Sequence, residues 1–116
     1  MNKYNMRLIT KYFDCIKKGS KTIELRLNDE KRRNIKIGDE IVFEELNENP
    51  RYLRVRVIDL YYEKHFEDLI NKFDIKLFAD ENVTKEELLS VLNEIYTKEN
   101  QDKYGVVGIK IQLLDN

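Results

Sequence analysis

Lys17-Lys18-Gly19-Ser20-Lys21-Thr22-Ile23-Glu24-Leu25-Arg26-Leu27 changes its hydrophobic period halfway along. Just upstream, Tyr12, Phe13 and Ile16 recur at helical spacing, and Lys17 and Lys18 suit the negative end of a helix dipole. Gly19 is the residue type that most readily takes the left-handed backbone just past a helix end. From Lys21 to Leu27 the period is two. Ile23, Leu25 and Leu27 fall on one face and Thr22, Glu24 and Arg26 on the other, the pattern of a half-buried strand with a polar side. Residues 6–9 (Met-Arg-Leu-Ile) read as a strand before the helix, with Thr10 as the cap between them.

Working outward, Ile37-Gly38-Asp39 reads as a turn into a strand over Glu40–Leu46, with Ile41 and Phe43 pointing one way. Asn47–Pro50 is a hairpin loop. Tyr52–Tyr61 is a long strand, with Leu53, Val55 and Val57 on one face and Arg54 and Arg56 on the other. Phe66, Leu69, Ile70 and Phe73 stand at helical spacing. Thr84-Lys85-Glu86-Glu87 fits a capping box before a second helix, whose expected buried stripe is Leu88, Leu92, Ile95 and Tyr96. Gly105–Leu114 closes the chain as a strand, with Val107, Ile109, Ile111 and Leu113 expected inside. The order is β-α-β-β-β-α-α-β, which predicts an α+β class built as a small mixed β-barrel with flanking helices, one domain over residues 1–116.

The 116 residues are enough for one buried core, and 41% of them are apolar. The net charge of -1 conceals an asymmetry. Residues 1–36 carry eleven Lys/Arg against four Asp/Glu, and residues 37–116 carry ten against eighteen. A basic third of this kind suits a polyanion-facing patch, or else packs against the acidic remainder. A single cysteine, Cys15, excludes an internal disulfide and falls among apolar helix positions, as a buried inert thiol does. No run has the length of a membrane span and no secretory signal is evident, so a cytoplasmic location is expected. Nothing in the sequence calls for a metal or a cofactor.

Lys21, Glu24 and Arg26 are the candidate constellation. Residues two apart on a strand share a face roughly 7 Å apart, so Glu24 can hold Arg26 in a fixed direction and leave part of its fork for a phosphate or a base edge. Lys21, at the strand's start, can reach the same space. The plainer reading is a solvated strand face with exposed ion pairs of small worth. Seven tyrosines are many for this length. Tyr52, Tyr61, Tyr62, Tyr96 and Tyr104 could stack unpaired bases, and Tyr96 and Tyr104 bracket a polar loop before the last strand; ordinary packing explains each singly. Lys31-Arg32-Arg33 with Lys36 forms a basic cluster suited to phosphates or to solvent. The lone His65 reads as a capping or surface residue.

Gly19-x-Lys21-x-x-Glu24-x-Arg26 matches the G-x-K-x-x-E-x-R signature of the ASCH family, part of the PUA-like superfamily. Tyr12–Lys18 resembles the family's preceding helix, Ile37-Gly38-Asp39-Glu40-Ile41 its turn and following strand, and Tyr104–Ile109 its closing strand. The resemblance implies a β-barrel whose flanking helices border a cleft lined by the signature residues, and an RNA, nucleotide or nucleoside ligand. On that basis Lys21, Thr22, Glu24, Arg26, Tyr96 and Tyr104 are the expected ligand-binding residues. One branch of the family hydrolyses N4-acetylcytidine and another is associated with ribonuclease activity; in either case Lys21 and Glu24 are the residues to which catalysis falls. The amidohydrolase branch uses a lysine, a threonine and a glutamate. Lys21 matches the lysine, Glu24 stands where the threonine belongs, and Asp80 and Glu81 are the candidates for the third place.

Overall fold

The computed structural model describes residues 1–114. In chain order its elements are β1 (Lys3–Leu8), α1 (Thr10–Lys17), β2 (Ile23–Leu27), β3 (Glu40–Glu45), β4 (Tyr52–Glu63), α2 (Phe66–Ile70), α3 (Lys85–Ile95), α4 (Lys98–Tyr104) and β5 (Val106–Leu113). A 3₁₀ turn at Ile75–Phe78 lies between α2 and α3. The five strands form one sheet in the order β1-β3-β4-β5-β2. β1 runs parallel to β3, and the other three pairings are antiparallel.

The first two strands of the chain are therefore the two edges of the sheet. The sheet curls until those edges approach, and Arg26 on β2 donates from Nη2 to the Arg7 carbonyl on β1 at 2.8 Å. The result is an open barrel with a seam between β1 and β2. Part of the curl comes from β4, whose register against β5 shifts between Val57 and Asp59. A bulge of this kind bends a strand and strengthens its twist.

Two apolar clusters line the curled sheet. One joins Met6, Phe43, Val55 and Ile109 to Phe13 and Ile16 of α1. The other joins Ile23, Leu25 and Leu27 of β2 to Phe66, Leu69, Phe78, Leu88 and Leu92. β5 runs between them, with Val107 in the first cluster and Val106 in the second, so its first four residues are buried without alternation.

The α+β barrel and the expected order of elements hold, with differences of detail. β1 begins at Lys3, earlier than its apolar residues announce. Thr10 is the first helical residue and not the cap; Ile9 takes the cap position, and the Thr10 hydroxyl donates to Glu45 Oε2 at 2.8 Å. Thr84 does cap α3, accepting from the Glu87 amide at 3.2 Å. Ile95 and Leu113, expected inside, are 63% and 42% exposed; each is the last residue of its element, where the burial pattern gives out. The polar stretch before β5 is a helix, α4, capped by Thr97. Only Gln101 of α4 is buried, so it carries no apolar stripe for periodicity to reveal.

Candidate functional site

The segment from α1 to β2 is stapled at both sides. Gly19 takes φ +90, which a side chain would strain. The Lys21 amide donates to the Cys15 carbonyl at 3.0 Å, the Ser20 hydroxyl to the Ala79 carbonyl at 2.7 Å, and the Thr22 amide to the Leu77 carbonyl at 2.9 Å. These bonds tie the segment to the 3₁₀ turn and send the Lys21 side chain inward, where it is 4% exposed.

Lys21 Nζ donates to the carbonyls of Ile23 at 2.8 Å and Phe78 at 2.9 Å, and lies 3.1 Å from Glu24 Oε1. An ammonium has three protons, and here there are three acceptors for them. Tyr12 covers one flank, with Nζ 5.5 Å from its ring centroid. Glu24, 5% exposed, is equally engaged. Its Oε1 also accepts from the Leu25 amide at 3.3 Å, and its Oε2 receives Arg26 Nε at 2.9 Å and Nη2 at 2.8 Å. Burial pushes the Glu24 carboxyl up, but the charges of Lys21 and Arg26 and their hydrogen bonds prevail and hold it below the usual carboxylate range. Burial works against the Arg26 charge as well, and Glu24 more than restores it.

Arg26 Nε and Nη2 are committed to Glu24 and to the Arg7 carbonyl, while its Nη1 protons have no partner among the described residues. Arg26 borders a cavity of about 250 Å³ at the seam. Arg7, Lys21, Glu24 and Arg26 form its polar side, and Leu8, Leu25, Phe78, Leu88 and Leu92 supply apolar walls. Tyr12 and Tyr96 add two rings. The Tyr96 ring is fixed by Phe66, 5.3 Å away between centroids, and its carbonyl accepts from Gln101 Nε2 at 3.1 Å. Burial raises the Tyr96 hydroxyl above its ordinary range, with Arg26 opposing. The rim is apolar and open: Ile9, Leu46, Val91 and Ile95 line the cavity and are exposed.

A second hollow of about 400 Å³ shares Arg7 and Arg26 with the first. Lys31 and Arg32 line it too, and its one carboxylate is Glu44. The basic third of the sequence is thus divided between this hollow and internal neutralisation, as in the Lys18–Asp80 pair at 3.6 Å.

Of the expected ligand-binding residues, the fold brings Lys21, Glu24, Arg26 and Tyr96 together. Thr22 and Tyr104 do not line the cavity; Thr22 precedes the regular part of β2, and Tyr104 packs in the second core cluster. Asp80 pairs with Lys18 and accepts from the Cys15 thiol at 3.7 Å, and it does not line the cavity. Glu81 is exposed. Cys15 is buried, and burial pushes its thiol up. His65 Nε2 lies 2.6 Å from Asp102 Oδ1, at a distance from the seam lining. Tyr12, Arg7 and the exposed face of α3 were not singled out by sequence as site residues. Tyr12 sits in an apolar stripe, and Arg7 reaches the site only because the two sheet edges meet. Among the described residues no His/Cys/Asp/Glu group is arranged to hold a metal, and no helix is long and apolar enough to cross a membrane.

An open mixed barrel with a charged pair of strand residues in its seam has relatives. Residues 6–115 match the ASCH domain family. The chain is similar to the hypothetical protein PH0355, whose crystal structure superposes with a TM-score of 0.85 at 38% identity, covering 97% of this chain and 99% of that one. It is also similar to protein PF0455 from Pyrococcus furiosus, known from a solution NMR structure, with a TM-score of 0.77 at 35% identity over 98% and 99% of the two chains. No curated protein matches the chain. The chain belongs to the ASCH domain family, within the PUA-like superfamily.

Proposed function

We propose that the seam binds single-stranded RNA or a nucleotide from it, taking one unpaired base into the cavity between Tyr12 and Tyr96 without turning it over. One observation carries this reading: Lys21 and Glu24 have spent their hydrogen-bonding capacity on the fold, and the charged donors left on the lining are Arg26 Nη1 and the exposed guanidinium of Arg7 beside it. A base has flat apolar faces and an acceptor-bearing edge. The walls suit the faces, and Nη1 suits a carbonyl or ring nitrogen on the edge. The cavity is smaller than the roughly 300–1,000 Å³ common for drug-sized ligands, which favours one base over a larger group.

Hydrolysis asks more of the same residues. For Lys21 to act as a base or nucleophile it must release a proton and give up one of its three contacts, with Ile23, Phe78 or Glu24. For Glu24 to act it must break its contacts with Lys21 or Arg26. The geometry therefore supports recognition, with Lys21 and Glu24 as the support that aims Arg26.

Labelled protein titrated with short single-stranded RNA, and separately with N4-acetylcytidine, tests the proposal. Shifts at Leu25, Arg26 and Tyr96, with the acetate methyl signal absent and the RNA intact, are expected. Growing acetate or RNA fragments would replace binding with hydrolysis, and no shift with either ligand would remove nucleic acid from the account.

A further inference from the structure

Resting on that reading, we infer that the hollow beside the seam is a second subsite, which takes the neighbouring phosphodiester and stacks its base on Tyr52. The cavity ends at Arg26 and Arg7, and the hollow begins at the same two residues. A base held in the cavity therefore places its backbone at the border of the hollow. Four cations line the hollow, Arg7, Arg26, Lys31 and Arg32, against the one carboxylate of Glu44.

These groups are held in place. Glu44 Oε2 lies 3.1 Å from Arg7 Nε, and Glu44 Oε1 accepts from the Tyr52 hydroxyl at 3.1 Å. One carboxylate thus joins the Arg7 guanidinium to the Tyr52 ring. Asp29 accepts from the Lys31 amide at 3.1 Å and from Arg32 Nη1 at 2.9 Å, fixing the turn that carries both cations. The Lys31 ammonium appears in no ion pair among the described residues, and Tyr52, the first residue of β4, is 54% exposed. An exposed ring on a sheet, flanked by cations aimed at one hollow, has the parts that single-strand binders combine: stacking for the base and charge for the backbone. The ligand class is a strand of at least two nucleotides, in place of a free nucleoside.

Isothermal titration of the full chain with the four ribonucleosides, their 5′- and 3′-monophosphates and the corresponding dinucleotides tests this. Dinucleotides bind roughly tenfold tighter than the better monophosphate, the increment expected of one stacked base. Tyr52→Ala removes that advantage and leaves nucleoside affinity unchanged. Lys31→Ala lowers the salt slope of dinucleotide binding by about 0.7, one phosphate's worth for a single strand. Both side chains are exposed, so neither variant endangers folding. Nucleosides that bind as tightly as dinucleotides would overturn the second subsite alone. So would a monophosphate that captures the whole gain, or a gain indifferent to Tyr52→Ala and Lys31→Ala. Failure of every ligand to bind would overturn it together with the reading on which it rests.

Discussion

Glu24 and Glu45, both buried, each grip an arginine through its Nε and Nη2, and they do opposite work. Glu45 closes the β3–β4 hairpin. Its amide donates to the Arg51 carbonyl at 2.9 Å, and its carboxylate receives Arg51 Nε and Nη2 at 2.9 Å each. Arg51 also reaches Asp14 of α1 at 2.8 Å. That arginine side chain is 43% exposed, so whatever the pair leaves unspent meets water. Glu24 makes a similar grip on Arg26, but Arg26 is 12% exposed at the edge of a cavity, and behind Glu24 stands a lysine shut away from solvent. The same pairing of residue types is a clasp at the hairpin and a support at the seam. What separates them is the surroundings of the arginine's free side.

The largest expected effect follows from that difference. Glu24→Gln leaves Lys21 and Arg26 as uncompensated buried charges and costs about 3–5 kcal/mol in urea unfolding, the usual range for removing one partner of a buried pair. Glu45→Gln costs less, because Arg51 can turn to water. Equal losses would mean that Lys21 is less enclosed than its 4% exposure indicates.

The next effect is coupling within the support. Lys21→Met keeps the length of the side chain but removes its three donations, and combined with Glu24→Gln it gives a double-mutant cycle. The two changes are non-additive by about 0.5–3 kcal/mol, as for residues in one network. Lys21→Met combined with Glu45→Gln is additive, since those residues share no partner. A coupling near zero in the first cycle would dissolve the network into independent contacts.

A third difference appears in acid. Glu24 is held below its ordinary range, where Lys21 and Arg26 overcome the upward push of burial, and the hydrogen bonds from Arg51 and Thr10 take Glu45 from 4.5 to about 2. With folded values depressed, the unfolded chain binds protons first. This stability is complete above the ordinary carboxylate range and is lost as pH falls from 4.5 through about 2. Urea midpoints across that range should fall with pH, and Glu45→Gln should flatten the decline towards its lower end. A decline that begins well above the carboxylate range would show that other groups control acid unfolding.

The sequence disclosed the strands and helices well where apolar period and turn chemistry agreed. The change of period at Gly19, the alternation of β2 and the cap at Thr84 were all legible. So was the proximity of Lys21, Glu24 and Arg26. Alternation, however, separates the two faces of a strand without telling which one meets water. The side of β2 bearing Glu24 reads as wet because its residues are charged, and it is buried because the curled sheet turns it into the seam. Sheet order is also absent from local pattern: nothing near Arg7 says that it lies at one edge and Arg26 at the other. Helix α4 escaped because its one buried residue is Gln101, which leaves no apolar stripe to read. Tyr12 was hidden by a role it also has, since its ring belongs to the apolar stripe of α1 and covers Lys21.

The affinity for a short single-stranded RNA, measured side by side for Arg26→Lys and Arg51→Lys, tests the central claim most directly. Both changes keep the positive charge and lose the planar fork. Arg26→Lys should weaken binding about tenfold or more, about 1.4 kcal/mol, while Arg51→Lys leaves it unchanged. Equal affinities for the two variants would contradict the account, because the seam would then be no different from the hairpin clasp.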